Sequence, residues 1–301
     1  MATSSKPGVS SDTAAPRTHL ICDFDGTIAK SSTLNILASI GYSRNPDVTP
    51  WSEISAAYMR DLHRHDQTYT KPRNGGIQEE LEYLDSLRPV ESASIQRIEA
   101  AGVFKNVTPS DLTDGAAQAV REDRISFRPG WDRLVHEIQS TGGWTEVISV
   151  SWSRAFIRAA IETAFPAVLA ECPDFKIAAN DVQEDGSGEL TRPFANPDGG
   201  IWTASDKARL VDEMLERCPR TIYVGDSVTD LRCLLDKSIV GIIVRDETMT
   251  GEQKELKETL NRSRVVVKHI SEWKEDETST ALYWIKDFGE VCESPLFTGG
   301  R

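Results

Sequence analysis

Two aspartates, Asp23 and Asp25, directly follow a short apolar run at residues 20–22. Such a run is typical of a buried strand, and the loop that leaves its end can present both carboxylates to one ligand. A carboxylate is a competent nucleophile towards phosphorus when a cation offsets the charge repulsion. A second carboxylate can then protonate the leaving oxygen and afterwards activate water. The pair therefore indicates a site with the groups for phosphoryl chemistry.

The next two residues, Gly26 and Thr27, continue this loop. Glycine permits an unusual backbone turn and the close approach of a phosphate group. Exposed backbone amides in such a loop can hold anionic oxygens. Both residues are therefore candidates for phosphate binding.

A second acidic pair, Asp226 and Asp230, follows the apolar run 221–224 and one glycine. Carboxylates four positions apart lie on one face of a helical turn. Together with Asp23 they would form an oxygen-rich site of the kind that Mg²⁺ prefers. Such an ion polarises a phosphoryl group and lets an anionic nucleophile approach it. The alternative for Asp230 is a helix cap, a role for which Thr229 also competes.

Two further residues could contact a phosphate. Ser149 ends the apolar run 147–148, and Lys207 lies near the start of a predicted helix. An ammonium near a helix N-terminus pairs well with phosphate oxygens, and a serine offers one hydroxyl donor. The alternatives are a serine bonded to its own strand and a solvated surface lysine. Because open α/β sheets bind ligands at the carboxyl ends of their strands, we expect these residues to lie near Asp23.

The remaining pattern predicts a doubly wound α/β sheet. Further strand-like runs occur at residues 239–244 and 265–267, and helical periodicity separates the runs. Residues 31–125 lack such runs and are predicted to form a helical insertion. Residues 176–180 and 189–191 flank a turn sequence and predict a β-hairpin. From Ser279 onwards, apolar spacing predicts one amphipathic helix, with Ala281, Leu282, Trp284, Ile285 and Phe288 on its apolar face.

These residues resemble the four motifs of the haloacid dehalogenase superfamily, in the family's order. The motifs read Asp23-Phe24-Asp25-Gly26-Thr27, Ser149, Lys207, and Gly225-Asp226-Ser227-Val228-Thr229-Asp230. The turn Arg128-Pro129-Gly130, with a helix and then a strand ending at Ser149, is similar to the phosphoserine phosphatase-like branch. The resemblance spans about residues 18–270.

The resemblance implies an α/β fold with a Rossmann-like parallel-sheet core and an inserted helical cap of the C1 type. On this basis residues 18–30 and 126–270 would form the catalytic core, and residues 31–125 the cap. Residues 1–17 would be a disordered tail, and 271–301 a C-terminal helix and tail. Substrate choice would then reside mainly in the cap.

The resemblance also implies roles for the site residues. Asp23 would be the nucleophile and a Mg²⁺ ligand, and Asp25 the general acid and base that gives its backbone carbonyl to the metal. Asp226 would bind the metal directly, and Asp230 would orient the metal shell or the lysine. Ser149 and Lys207 would bind phosphoryl oxygens. The implied activity is hydrolysis of a small phosphorylated metabolite through an aspartyl-phosphate intermediate.

Charge and composition limit which classes of binding partner are expected. The chain of 301 residues has a formal net charge of −13 and a sequence pI near 4.9. A global acidic field disfavours nucleic acid and anionic membranes as partners. The five cysteines are widely spaced and odd in number, which favours reduced thiols in a cytoplasmic protein. The tail 1–17 lacks the apolar core of a secretory signal, and an organellar transit peptide is the alternative. A basic cluster within residues 60–73 is either a solvated face or a second anion-binding element.

Other functions compete with the monoester hydrolase. The same fold would serve a prenyl or other diphosphate hydrolase, or a phosphotransferase whose cap excludes water. Carbon–halogen cleavage is disfavoured because a halide needs no general acid such as Asp25. From a different class, a non-catalytic phospho-ligand binding protein is disfavoured because all four motif carboxylates are present.

Overall fold

The computed structural model describes residues 17–172, 175–191, 199–215, 220–275 and 282–298. The strands are β1 (Thr18–Cys22), β2 (Trp144–Ile148), β3 (Lys176–Ala178), β4 (Asp181–Val182), β5 (Leu190–Thr191), β6 (Arg220–Gly225), β7 (Ile239–Val244), β8 (Val267–His269) and β9 (Leu282–Ile285). The first helices are α1 (Leu34–Arg44), α2 (Trp51–Thr68), α3 (Ile77–Ser86), α4 (Arg88–Ala101) and α5 (Pro109–Arg121). The later ones are α6 (Trp131–Ser140), α7 (Arg154–Ala164), α8 (Pro166–Glu171), α9 (Ala204–Leu215), α10 (Leu231–Leu234), α11 (Gly251–Arg262), α12 (Gly289–Glu293) and α13 (Pro295–Thr298).

Seven strands form one parallel sheet in the order β3-β2-β1-β6-β7-β9-β8. The central strand β1 pairs with β2 and with β6, so that Cys22 lies opposite Val147 on one side and Val224 on the other. All three residues are fully buried. The near-continuous apolar runs arise because helices cover both faces of a parallel sheet. The predicted α/β fold class is confirmed.

Four of the five predicted strand segments lie in this sheet, and the fifth, 265–267, overlaps β8 only at Val267. Two further strands of the sheet were predicted to have other structures. Residues Lys176–Ala178 pair with β2 as the edge strand β3. The hairpin exists in a shifted position, because Asp181–Val182 is the arm that pairs with Leu190–Thr191. The predicted hairpin arm 176–180 is therefore wrong in its register.

The predicted C-terminal amphipathic helix is also wrong. Residues Leu282–Ile285 form β9, which lies between β7 and β8 in the parallel sheet. Leu282, Tyr283 and Ile285 are nearly or fully buried. A short apolar run fits a buried strand and one face of a helix equally well, and here tertiary pairing decided between them. The helices near the C-terminus are the short α12 and α13, and Ala281 lies outside the described residues.

The segment between β1 and β2 is helical, as the lack of strand-like runs predicts. Ala29 and Phe127 pair in an isolated antiparallel bridge, and the Lys30 N–H donates to the Ser126 carbonyl at 2.9 Å. The chain thus leaves the sheet and returns to it at one place. Whether α1–α5 form a separate cap domain stays a prediction. The predicted disordered tail falls almost wholly outside the described residues.

Local sequence explains where several helices begin. Thr108 and Asp111 form a reciprocal capping box at α5, with Pro109 in the first helical position. The Ser153 hydroxyl accepts a hydrogen bond from the Phe156 N–H at the start of α7. Such caps satisfy amides that have no partner inside the helix. Among the described helices, none has the length and apolar character needed to cross a membrane.

Candidate active site

The strand ends converge as the sequence predicts. The Asp23 N–H donates to the Val224 carbonyl at 2.9 Å, which holds the first residue after β1 against β6. On the other side of β1, the Ser149 N–H donates to the Ala178 carbonyl at 2.9 Å. Asp23, Ser149 and Asp226 follow three neighbouring strands, β1, β2 and β6. Because parallel strands end at the same edge of a sheet, these three residues lie at one edge.

Lys207 forms the centre of the charged cluster. Its Nζ atom lies 2.7 Å from Oδ1 of Asp23 and 2.7 Å from Oδ1 of Asp230. The lysine side chain is fully buried, so it is not a solvated surface residue. Burial disfavours the ammonium, but the negative charges of Asp23 and Asp230 outweigh that effect and raise the pKa of Lys207. The lysine therefore stays charged at neutral pH.

Asp230 is held by a complete set of donors. Its Oδ1 accepts from Lys207 and from the Tyr223 hydroxyl at 2.7 Å. Its Oδ2 accepts from the Asp226 N–H, the Ser227 N–H and the Ser227 hydroxyl, each at 3.1 Å. The carboxylate thereby fixes the loop after β6 and the lysine at the same time.

Asp226 lies against the loop that follows β1. The Thr27 hydroxyl donates to Oδ1 of Asp226 at 3.1 Å. Gly26 has a φ of 75°, and a β-carbon there would lie 2.1 Å from Oδ2 of Asp226. Glycine is therefore required for both the backbone conformation and the close approach. Thr27 is fully buried and its hydroxyl serves Asp226, so the structure does not bring that hydroxyl to the cavity as a phosphate ligand.

The carboxylates fit a divalent cation. Oxygens of Asp23, Asp226 and Asp230 lie within 4.8 Å of one another, and all three residues are buried. Oδ2 of Asp226 is buried without a hydrogen-bond partner among the described residues. One lysine cannot neutralise three carboxylates, and such an orphaned carboxylate oxygen is what a hard cation takes as ligand.

The pKa values report the same excess of negative charge. Burial, opposed by the Lys207 ammonium, raises the pKa of Asp23 to about 8. Burial together with the charges of Asp23 and Asp230 raises the pKa of Asp226 well above its ordinary value. A carboxyl group behaves in this way when it is buried and the negative charge around it is not fully compensated.

Asp25 lies at the edge of the cluster. It is partly buried, and its Oδ1 accepts a hydrogen bond from the Thr33 N–H at the start of α1. Burial raises the pKa of Asp25, and the Thr33 hydrogen bond opposes that shift. A raised pKa makes it easier for the carboxyl group to hold a proton that it can later donate.

Ser149 is buried at the end of β2, next to the cavity. Its hydroxyl oxygen accepts the Ser151 N–H at 3.1 Å, and both serines line the cavity. Because the oxygen accepts from the backbone, the hydroxyl hydrogen is left to donate to another group. The structure thus brings Ser149 to the cavity that also contains Asp23.

The segment before Lys207 is fixed by its neighbour Asp206. Oδ2 of Asp206 accepts the N–H groups of Trp202 and Thr203, each at 3.0 Å. Oδ1 accepts from Arg88 of α4, which ties the helical insertion to the start of α9. Asp206 therefore caps α9 and sets the position of the lysine that follows.

The sequence analysis identifies Arg128 only as part of a turn, but in the structure its side chain holds the loop after β1. Its guanidinium donates to the Gly26 carbonyl at 3.0 Å and the Thr27 carbonyl at 3.1 Å. It also pairs with both oxygens of Asp246, at 2.7 and 3.2 Å, and donates to the Lys286 carbonyl at 3.0 Å. Only an arginine presents such a planar fork of donors. A buried arginine so far from Asp23 in sequence carries no local signal of this contact.

A cavity of about 430 Å³ opens above the charged cluster. Its floor includes Asp23, Asp25 and Ser149. Its walls come from α2, α3 and α4, from the loops after β2 and β6, and from the start of α9 and of α11. Aromatic and aliphatic side chains dominate the walls, among them Trp51, Ile54, Tyr58, Tyr83, Leu84, Leu87, Ile95, Trp152 and Trp202.

The predicted basic cluster does not line this cavity. Lys71 pairs with Glu82 and Arg64 with Asp61 on the surface. Arg73 pairs with Glu80, and its guanidinium carbon lies over the Tyr83 ring, 3.6 Å from the ring centroid. These contacts favour the interpretation of the cluster as a solvated face with local ion pairs.

The comparison with solved structures concerns the fold. The chain resembles a phosphoserine phosphohydrolase-like protein from Francisella tularensis with a TM-score of 0.50 and 13% identity, over 92% of this chain and 98% of that one. A cytosolic 5′-nucleotidase IIIB bound to cytidine gives a TM-score of 0.49 and 18% identity, over 82% and 78%. The Francisella likeness shows the fold. The chain thus has the fold of that phosphoserine phosphohydrolase-like protein.

One curated relative is Cold tolerance protein 1 of Saccharomyces cerevisiae. It is 25% identical over 259 aligned residues, which cover 76% of this chain and 78% of the relative. No protein-family model matches the chain.

Proposed function

We propose that this protein is a Mg²⁺-dependent phosphatase that hydrolyses a small-molecule phosphomonoester through an aspartyl phosphate on Asp23. The observation that carries the proposal is the position of Asp23, which lies at the cavity floor with its Oδ1 atom 2.7 Å from Lys207. A nucleophile needs this combination of access to the substrate and a fixed cation beside it.

In the first step a carboxylate oxygen of Asp23 attacks phosphorus. The bond between phosphorus and the ester oxygen breaks, and Asp25 gives its proton to the leaving alcohol. We assign Lys207 and the Ser149 hydroxyl to holding phosphoryl oxygens as charge shifts onto them. The products of this step are the free alcohol and the aspartyl phosphate.

In the second step Asp25 takes a proton from water, and the water oxygen attacks phosphorus. The acyl-phosphate bond breaks, which returns Asp23 as a carboxylate and releases inorganic phosphate. Asp25 thus acts as acid and then as base, and its partly buried place at the cavity edge allows both.

Asp23, Asp226 and the backbone carbonyl of Asp25 would hold the metal. Mg²⁺ in this place would polarise the phosphoryl group and offset the repulsion between carboxylate and substrate. Both oxygens of Asp230 already accept hydrogen bonds, so we assign it to positioning Lys207 and the loop after β6. Arg128 is assigned to positioning the loop of Gly26 and Thr27.

The cavity also bears on the competing functions. A diphosphate ester would bring a second anionic group into walls that hold no lysine, arginine or histidine among the lining residues. A monoester is therefore favoured over a prenyl or other diphosphate.

The test is phosphate release from a panel of esters with Mg²⁺ or EDTA. The panel would include p-nitrophenyl phosphate, sugar phosphates, nucleotides, phosphoserine and a prenyl diphosphate. We expect Mg²⁺-dependent release by the wild type and none by Asp23→Asn. Asp132→Asn, on the exposed side of α6, serves as the matched control and should keep wild-type turnover.

Turnover by purified Asp23→Asn would exclude the covalent mechanism. Wild-type protein that binds Mg²⁺ but releases phosphate from no ester would favour the phospho-ligand binding protein instead. Transfer of phosphate to added alcohols in preference to water would favour the phosphotransferase.

A further inference from the structure

The walls of the cavity are strongly acidic in addition to the groups at its floor. Asp66, Glu91, Glu252 and Glu255 line it, and the lining residues include no basic side chain. Asp66 accepts a hydrogen bond from the Tyr83 hydroxyl, and Glu91 accepts one from the Tyr58 hydroxyl at 2.9 Å. A neutral phenol satisfies an acceptor oxygen without removing its negative charge.

The nearest cations of the helical insertion are already paired with other groups. Arg73 makes its ion pair with Glu80, which also accepts from Arg262. Arg88 pairs with Asp206, and Arg97 pairs with Asp61. Arg73 still acts on Glu255 over a distance, but it does not line the cavity. The wall carboxyls thus have no basic partner among the lining residues. Burial raises the pKa of Glu91 and Glu252, and a cation bound beside them would favour their charged form.

The same walls present aromatic rings. Trp51, Tyr58, Tyr83, Trp152 and Trp202 line the cavity, and the rings of Trp51 and Trp152 meet edge to face at 5.9 Å. The faces of aromatic rings attract organic cations, and carboxylates attract the same cations over a longer distance. A neutral aliphatic group on the ester would be stabilised by contact with the rings alone, whereas a positively charged group would be stabilised by the rings and by the carboxylates.

The two ends of the site thus have opposite preferences. Beneath the cavity floor, Lys207 beside Asp23 and the proposed metal position would favour the negatively charged phosphoryl group. Away from the floor, a second anion would face several carboxylates at short range in a partly buried space, where the repulsion is weakly screened.

We propose that the cavity selects phosphate monoesters whose alcohol carries a positively charged nitrogen group. This inference rests on the proposed function, because it assumes that the phosphoryl group sits at Asp23. It identifies Glu91 and Glu252 as specificity-determining residues. Glu91 lies on α4 and Glu252 on α11, so the carboxylates approach the cavity from two elements.

The test compares two esters of the same shape, phosphocholine and 3,3-dimethylbutyl phosphate, in which carbon replaces the quaternary nitrogen. We expect kcat/KM for phosphocholine to exceed that of the neutral ester about tenfold or more, through a lower KM. Inhibition of p-nitrophenyl phosphate hydrolysis by the two compounds gives the same comparison. Calorimetric binding of both to Asp23→Asn with Mg²⁺ requires no turnover.

Variants assign the preference to the walls. Glu91→Gln and, separately, Glu252→Gln should each reduce the preference for the cation severalfold. Glu162→Gln, on the exposed face of α7, is the matched control and should leave the preference unchanged. Two variants on different helices guard against a failure of one to fold.

The inference would be overturned by equal kcat/KM values for the two esters, by a preference for the neutral ester, or by the binding of neither ester. In each of these cases Mg²⁺-dependent hydrolysis of p-nitrophenyl phosphate would leave the proposed function standing. Conversely, a cation preference in binding to Asp23→Asn, with no hydrolysis of any ester by the wild type, would support the inference and reject the proposed function.

Discussion

Nζ of Lys207 lies 2.7 Å from Oδ1 of Asp23, although the two residues are 184 positions apart in the chain. Both side chains are buried, and Asp230 contacts the same ammonium at 2.7 Å. The lysine therefore has a structural role, as the counter-ion of two buried carboxylates, and a proposed catalytic one.

We predict that Lys207→Met lowers kcat at least about 100-fold, because a fixed positive charge beside the reacting phosphoryl group is lost. It should also lower the free energy of unfolding by about 3–5 kcal/mol, since the two carboxylates are left without their buried partner. Phosphate release and denaturant titration measure the two effects. Lys237→Met, at an exposed turn, is the control. A variant with near-normal kcat would remove Lys207 from the mechanism.

Arg128 should act through the loop that it holds. Arg128→Lys keeps the charge but loses the planar fork that reaches Gly26, Thr27 and Asp246 together. We predict a fall in kcat and a loss of stability of about 1–3 kcal/mol for the broken buried hydrogen bonds. Asp246→Asn, which leaves both loop contacts in place, should reduce kcat less. Equal effects of the two variants on kcat would argue for a purely structural arginine.

Asp226→Asn separates charge from shape at the proposed metal position. Without a divalent cation the variant should be at least as stable as the wild type, because an uncompensated buried charge is removed. Added Mg²⁺ should raise the Tm of the wild type and not that of the variant, because ligand binding stabilises only a protein that retains the site. Thermal melts with Mg²⁺ or EDTA make this comparison. An equal Mg²⁺-dependent shift in both proteins would place the metal elsewhere.

Glu91 should make stability depend on pH. Burial raises the pKa of Glu91 from its ordinary value of 4.5 to about 7, and the Tyr58 hydrogen bond opposes that shift. Between these values the folded state binds more protons than the unfolded state, so stability falls as pH rises through the interval. For this partly exposed group the contribution amounts to about 1–3 kcal/mol.

Glu91→Gln should flatten the pH dependence of Tm between pH 5 and 8. Melting curves at several pH values, with Glu162→Gln as control, measure the effect. Parallel pH profiles for wild type and Glu91→Gln would show that Glu91 is charged in the folded state throughout this interval.

The sequence by itself was sufficient to predict the strand ends that carry the candidate site residues. Asp23, Ser149 and Asp226 each follow an apolar run, and parallel strands buried on both faces must be apolar and must end at a common edge. Local patterns of this kind are set by burial and chain geometry, which is why the α/β class, four of the sheet strands and the approximate place of a fifth could be predicted.

Tertiary structure alone decided the rest. Leu282–Ile285 became a strand because β7 and β8 offered pairing partners on both sides, which a short apolar run cannot indicate. The use of the Thr27 hydroxyl by Asp226, the hold of Arg128 on the Gly26 loop and the acidic, aromatic walls around Asp23 all depend on residues distant in sequence. A contact between distant residues leaves no periodic signal in the chain, since it arises only when the packed elements bring them together.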